Sequence, residues 1–134
     1  MRKTITLSIN TDQKKTFIDI TDKIGHLVKE SGVTTGEVIL FVPHTTAGVT
    51  INENADPDVL TDMIAGFDGA YPDRSSFRHM EGNSDAHLKS SAVGNDQLVL
   101  IENGNLALGT WQGLYFCEFD GPRQRKLLVR LQGE

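Results

Sequence analysis

Hydrophobic and polar residues alternate from Thr4 to Asn10, with Ile5, Leu7 and Ile9 on one side and Thr4, Thr6 and Ser8 on the other. A period of two predicts a half-buried strand. Thr11-Asp12 marks a turn, and Thr16 to Ile20 predicts a second strand. Thr21 then serves as the expected N-cap of a helix, with Ile24, Leu27 and Val28 at helical spacing and Gly32 as its stop. Glu37 to Val42 is nearly all apolar and predicts a central strand buried on both faces, ended by Pro43. Val49 to Asn52 predicts another strand. Asp56-Pro57 is a cap followed by a first-turn proline, and Val59, Leu60, Met63, Ile64 and Phe67 give an amphipathic helix.

Residues 68 to 84 break every period. A loop this long within a domain is usually functional or disordered, and its aromatic and histidine content argues against disorder. Ser84 or Asp85 can cap a short helix that Gly94 closes. The last third predicts sheet: a strand from Gln97 to Ile101, a hairpin turn at Asn103-Gly104, an apolar stretch from Ala107 to Phe119, a turn at Asp120-Gly121-Pro122, and a strand from Lys126 to Leu131. The fold class is therefore α+β, with a mainly antiparallel sheet and two or three helices.

The chain has 134 residues, which fits one domain spanning 1–134. At 38% hydrophobic and 23% charged it has the composition of a globular protein and not of a disordered one. The net charge of -5 disfavours a nucleic-acid partner, whose affinity depends on neutralising phosphates. Arg123, Arg125, Lys126 and Arg130 crowd the C-terminal segment, where a solvated strand face is the simplest expectation. No stretch approaches the ~20 apolar residues of a membrane span, and the alternating N-terminus does not read as a signal peptide, so a cytoplasmic location is expected. The single Cys117 sits in an apolar run and is expected to be a buried small hydrophobe. His26 reads as helix surface.

The remaining three histidines flank the irregular regions. His44 follows the buried strand, His79 lies in the long loop and His87 begins the next helix. Three neutral imidazoles can hold a tetrahedral zinc with one position open, and Asn83 or Asp85 can orient the rings. The same groups can instead act as acids and bases without metal, or be satisfied structurally. In the zinc case Glu53 or Asp85 would accept the proton of a metal-bound water. A second unusual stretch runs from Asn103 to Gly113. The amides of Gly109 and Thr110 can cradle an anion, and Trp111 can stack on a flat ring or simply fill a core. Arg123 can clamp a phosphate with its fork, with Thr45, Thr46, Lys89, Ser90 and Ser91 as further donors.

Five blocks carry a resemblance: His44-Thr45-Thr46-Ala47, Asn52-Glu53-Asn54, Gly82 through Lys89, Gly109-Thr110-Trp111-Gln112, and Phe119-Asp120-Gly121-Pro122-Arg123. Together they resemble the YjbQ-like family, described as secondary thiamine-phosphate synthases, over essentially the whole chain. The resemblance implies a sandwich-like α+β domain, a homotrimer, and a pocket around His44, His79 and His87 that takes a small phosphorylated ligand. The pocket is implied to hold a bound metal, with zinc and magnesium as the candidates, or an anion. For magnesium, which prefers carboxylates, Asp85, Glu53 or Asp56 are the candidates. The implied reaction joins a pyrimidine diphosphate to a thiazole phosphate, as a secondary activity of an enzyme for phosphorylated heterocycles. Trp111 or Tyr71 would stack on the pyrimidine. A metal-dependent hydrolase and a non-catalytic trimeric binding protein are the alternative readings.

Overall fold

The alternation at the N-terminus extends into a nine-residue strand, β1 (Arg2–Asn10), in which Ile9 is buried and Ile5 and Leu7 half-buried. The computed structural model describes every residue from Met1 to Glu134. After β1 come β2 (Thr16–Asp19), α1 (Thr21–Ser31), β3 (Thr35–Phe41), β4 (Ala47–Glu53), α2 (Pro57–Ala70) and α3 (Ser84–Val93). The chain closes with β5 (Asp96–Glu102), β6 (Asn105–Leu106), β7 (Gln112–Glu118) and β8 (Gln124–Gly133).

Two antiparallel sheets result. One runs β1-β8-β3-β5-β6 and the other β2-β7-β4. The main core includes Val38 and Leu40 of β3, Val49 of β4, Phe116 of β7, Leu127 and Val129 of β8, and Ile24 and Val28 of α1. β7 is buried on both sides, because the smaller sheet is covered twice. Leu114 and Phe116 join the main core, while Tyr115 and Cys117 join a second cluster with Phe17, Ala86 and Phe119. Leu60, Met63, Ile64 and Phe67 of α2 close that second cluster. No helix is long and apolar enough to cross a membrane.

Asp56 caps α2 by accepting from the Asp58 amide, with Pro57 in the first turn, as expected. Asn103 (φ 51°) and Gly104 (φ 76°) supply the two left-handed residues of a type I′ hairpin between β5 and β6.

Other local expectations are corrected. The N-cap of α1 is Ile20, and the Thr21 hydroxyl instead donates to Asp19 and accepts from the Leu114 amide. The N-cap of α3 is Asn83, one residue before Ser84 and two before Asp85. In the stretch from Ala107 to Phe119 only residues 112–118 are strand. β3 is central in its sheet but covered on one face only. Val38 and Leu40 are fully buried, whereas Phe41 keeps 40% of its surface exposed on the same outer face as Leu98 and Leu100 of β5. Arg125 does not sit on a solvated face. Its alternation is in phase with Leu127, Val129 and Leu131, so it turns inward and is 3% exposed.

Candidate functional site

The β3–β8 ladder ends at Phe41 opposite Leu128. Two residues further along β8, the Lys126 amide therefore lacks a strand partner, and the His44 ring takes it. Lys126 N donates to His44 Nε2 at 2.9 Å. A neutral imidazole that accepts at Nε2 carries its proton on Nδ1. His44 is thus fixed as an N–H donor. Burial and the Arg125 charge push its pKa below the ordinary histidine value, against the opposing pull of Glu118, so the ring is neutral at pH 7.

His44, His79 and His87 line one cavity of about 470 Å³. The His79 and His87 rings meet edge to face, with centroids 5.5 Å apart. Thr45, Thr46, Asn83 and Arg123 line the same cavity, as read from the sequence. Glu81 and Arg125 line it too, and sequence reasoning missed both as site residues. Apart from Pro43, every lining side chain is polar.

Behind the histidines lies a network of charged groups. Arg125 donates through Nε (2.9 Å) and Nη2 to Glu118, and through Nη2 to Thr46 Oγ1 at 2.8 Å. Glu118 is fully buried and also accepts from the Thr11 hydroxyl and the Asp120 amide. Burial alone would raise its carboxyl, but these donors outweigh burial and hold it below the usual range. Arg123 donates Nε to the Asp120 carbonyl and Nη2 to its carboxylate at 2.7 Å. Asp120 is held low in the same way, its burial outweighed by Asn83 and Lys14. Each arginine therefore spends two of its three nitrogens on the protein, and in both Nη1 has no protein acceptor. The Asn83 amide is oriented by Nδ2, which donates to Asp120 at 2.9 Å, while its buried Oδ1 has no partner.

Other expected site residues lie elsewhere. Lys89 is 1% exposed and donates to Asp68 at 2.6 Å and to Asp85 at 3.1 Å. Burial would lower Lys89, but the two carboxylates raise it. Neither Lys89 nor Asp85 lines the cavity, and their polar atoms serve a structural cluster. Ser91 lines an adjoining cleft. Gly109, Thr110 and Trp111 sit on the exposed segment before β7, where Trp111 is 63% exposed, and none of them lines the cavity. Cys117 is fully buried, and burial pushes its thiol far up, so it is no nucleophile.

A metal fits these residues poorly. No three or more His, Cys, Asp or Glu side chains converge on one point. The unprotonated nitrogen of His44 already accepts the Lys126 amide, so that ring offers no lone pair. The expected three-histidine zinc centre is therefore not assembled. The carboxylates considered for magnesium are dispersed: Asp85 pairs with Lys89, Asp56 caps α2, and Glu53 ends β4.

The chain's relatives share this fold. UPF0047 protein YugU of Bacillus subtilis is 54% identical over 129 residues, covering 96% of this chain and 98% of its own. A UPF0047 protein of Methanocaldococcus jannaschii is 49% identical, covering 94% and 91%. A crystal structure of an uncharacterised YjbQ/UPF0047 protein from Clostridium acetobutylicum superposes with a TM-score of 0.93 at 52% identity, covering 96% of this chain and 99% of that one. A YbjQ-like protein of unknown function from Sulfolobus solfataricus superposes with a TM-score of 0.95 at only 28% identity, covering 100% and 99%. The model of the UPF0047 protein YjbQ-like family matches residues 5–134, and the chain belongs to that family.

Proposed function

We propose that the polar cavity holds the phosphate group of a small molecule, and that the protein is an enzyme acting on phosphorylated compounds, heterocycles among them. The observation that carries this reading is the lining itself. Arg123 and Arg125, whose Nη1 nitrogens have no protein acceptor, line one cavity together with His44, an N–H donor, and Thr45. Such donors suit anionic oxygens, and donors held in place beforehand stabilise charge developing on a leaving group. His79 and His87 are the groups that exchange protons with the ligand. Joining a pyrimidine diphosphate to a thiazole phosphate falls within this class. Carbon–oxygen cleavage leaves pyrophosphate, whose charge the arginines neutralise. No Phe, Tyr or Trp lines the cavity, so ring recognition falls to the imidazoles.

The test is calorimetry with inorganic pyrophosphate and inorganic phosphate, followed by a pyrophosphate-release assay on the two thiamine precursors. Saturable binding that weakens with added salt is expected. If neither anion gives heat at millimolar concentration, the reading fails.

We also propose that copies of this chain assemble, as a trimer, through the outer face of the larger sheet. Phe41, Leu98 and Leu100 are 40%, 55% and 54% exposed there, with Ile39 opposite Leu98 and with Leu128, opposite Phe41 on β8, extending the patch on the other side. An apolar patch of this kind marks interaction surfaces. Sedimentation should show a trimer for the native chain and a smaller species for the Leu98→Lys, Leu100→Lys double variant. A native chain that sediments as a monomer would sink the idea.

A further inference from the structure

Three residues of the cavity, His44, Thr45 and His87, also line a second cleft of about 430 Å³. The two clefts therefore meet across the same histidines, but their chemistry differs. The first holds two arginines and Glu81. The second is completed by Ser90, Ser91, Gly94 and Asn95, none of them charged. Its volume lies within the range of small-molecule sites.

This second cleft has a fixed floor and free side chains. Val42 N donates to the Asn95 carbonyl at 2.8 Å and Val49 N to the Gly94 carbonyl at 3.1 Å, so the segment after α3 is tied to the strands beneath it. Gly48 allows that approach, because a Cβ there would lie 2.5 Å from the Gly94 oxygen. The Ser90 hydroxyl is spent on the Ala47 carbonyl at 2.7 Å. The side chains of Thr45, Ser91 and Asn95 are exposed and make no hydrogen bond within the protein. A rigid, uncharged surface with two free hydroxyls and one free amide suits neutral groups that both donate and accept. It offers an aliphatic or aromatic group nothing to bury against.

We infer that this cleft is the subsite for the uncharged, hydroxyl-rich portion of the ligand, and that the substrate class is a phosphate monoester of a sugar or polyol. The inference rests on the phosphate reading of the first cavity. The phosphate sits against Arg123 and Arg125, the hydroxyls sit against Ser91 and Asn95, and the link between them crosses His44 and His87. Asn95 is then a specificity-determining residue that sequence reasoning passed over.

Calorimetry with three probes tests this: inorganic phosphate, pentyl phosphate and ribose 5-phosphate. The native protein should bind ribose 5-phosphate at least about tenfold more tightly than pentyl phosphate, the effect of one or two hydrogen bonds. Asn95→Leu should bring that ratio close to one while leaving inorganic phosphate affinity unchanged, and Ser91→Ala should lower it part of the way. Equal binding of the two esters by the native protein, or a ratio unchanged in Asn95→Leu, overturns the subsite and leaves the phosphate reading standing. Failure of all three probes to bind overturns both.

Discussion

Arg125→Met should destabilise the protein by about 3–5 kcal/mol in urea denaturation at neutral pH, the usual cost of removing one partner from a buried ion pair. Glu118 has no exposed surface and takes its main donors from Arg125. Without that guanidinium, a carboxylate is left ionised in the interior with only the Thr11 hydroxyl and one amide. The sign of the pH dependence follows. In the native protein the Glu118 pKa is depressed below the ordinary glutamate value, so its contribution is present above about pH 4.5 and lost as pH falls through the folded-state value. In the variant burial dominates and the pKa rises, so Glu118 binds a proton on folding and the deficit shrinks on acidification. The native-minus-variant difference should thus be largest near pH 7 and narrow below about pH 5. A double variant, Glu118→Leu with Arg125→Met, should recover much of the loss, because apolar replacement of a buried pair is often nearly neutral. A single variant as stable as the native protein at pH 7 would show that the pair does not anchor the two sheets.

The same residue shows what the sequence disclosed and what it hid. Period-two alternation located β1 and β8, and the caps and turn residues at Asp56, Pro57, Asn103 and Gly104 placed their elements well, because these signals act within a few residues. Arg125 was legible too, being in phase with Leu127, Val129 and Leu131, but the general exposure of charged residues outweighed the phase. Its partner Glu118 had no local signal. Nothing near it in sequence says that Arg125 will pair with Glu118 in the other sheet. The histidines were found because they flank irregular segments, and the fold does bring all three to one cavity. Their nitrogens were not legible. That His44 accepts from Lys126 depends on where the β3–β8 ladder stops, which is a property of register and not of composition. Lys89 and Asp85 were misjudged for a related reason. Their four-residue spacing on α3 makes them neighbours on one helix face, and Asp68 on α2 completes the cluster.

His87→Ala should weaken phosphate binding by roughly 10- to 150-fold, the loss of one hydrogen bond to a charged group at ~1.5–3 kcal/mol, while leaving the fold intact. The two halves of this prediction have separate grounds. His87 lines both clefts and packs edge to face on His79, so its ring lies where the ligand's two portions must join. Yet its side chain makes no hydrogen bond to the protein and is only half-buried, and alanine is the better helix former. Stability should therefore shift by less than ~1 kcal/mol. His26→Ala is the matched control, since His26 is exposed and paired only with Glu30 at 3.0 Å on α1. Calorimetry with inorganic phosphate, alongside thermal unfolding of each variant, separates the effects. Native-like affinity in a folded His87→Ala protein would place the ligand away from the histidines, and the arginines alone would have to account for binding. Lost affinity with an unchanged melting temperature assigns His87 to the ligand and not to the scaffold. A pH–rate profile on a turned-over ester would then show whether the ring merely binds or also transfers the proton.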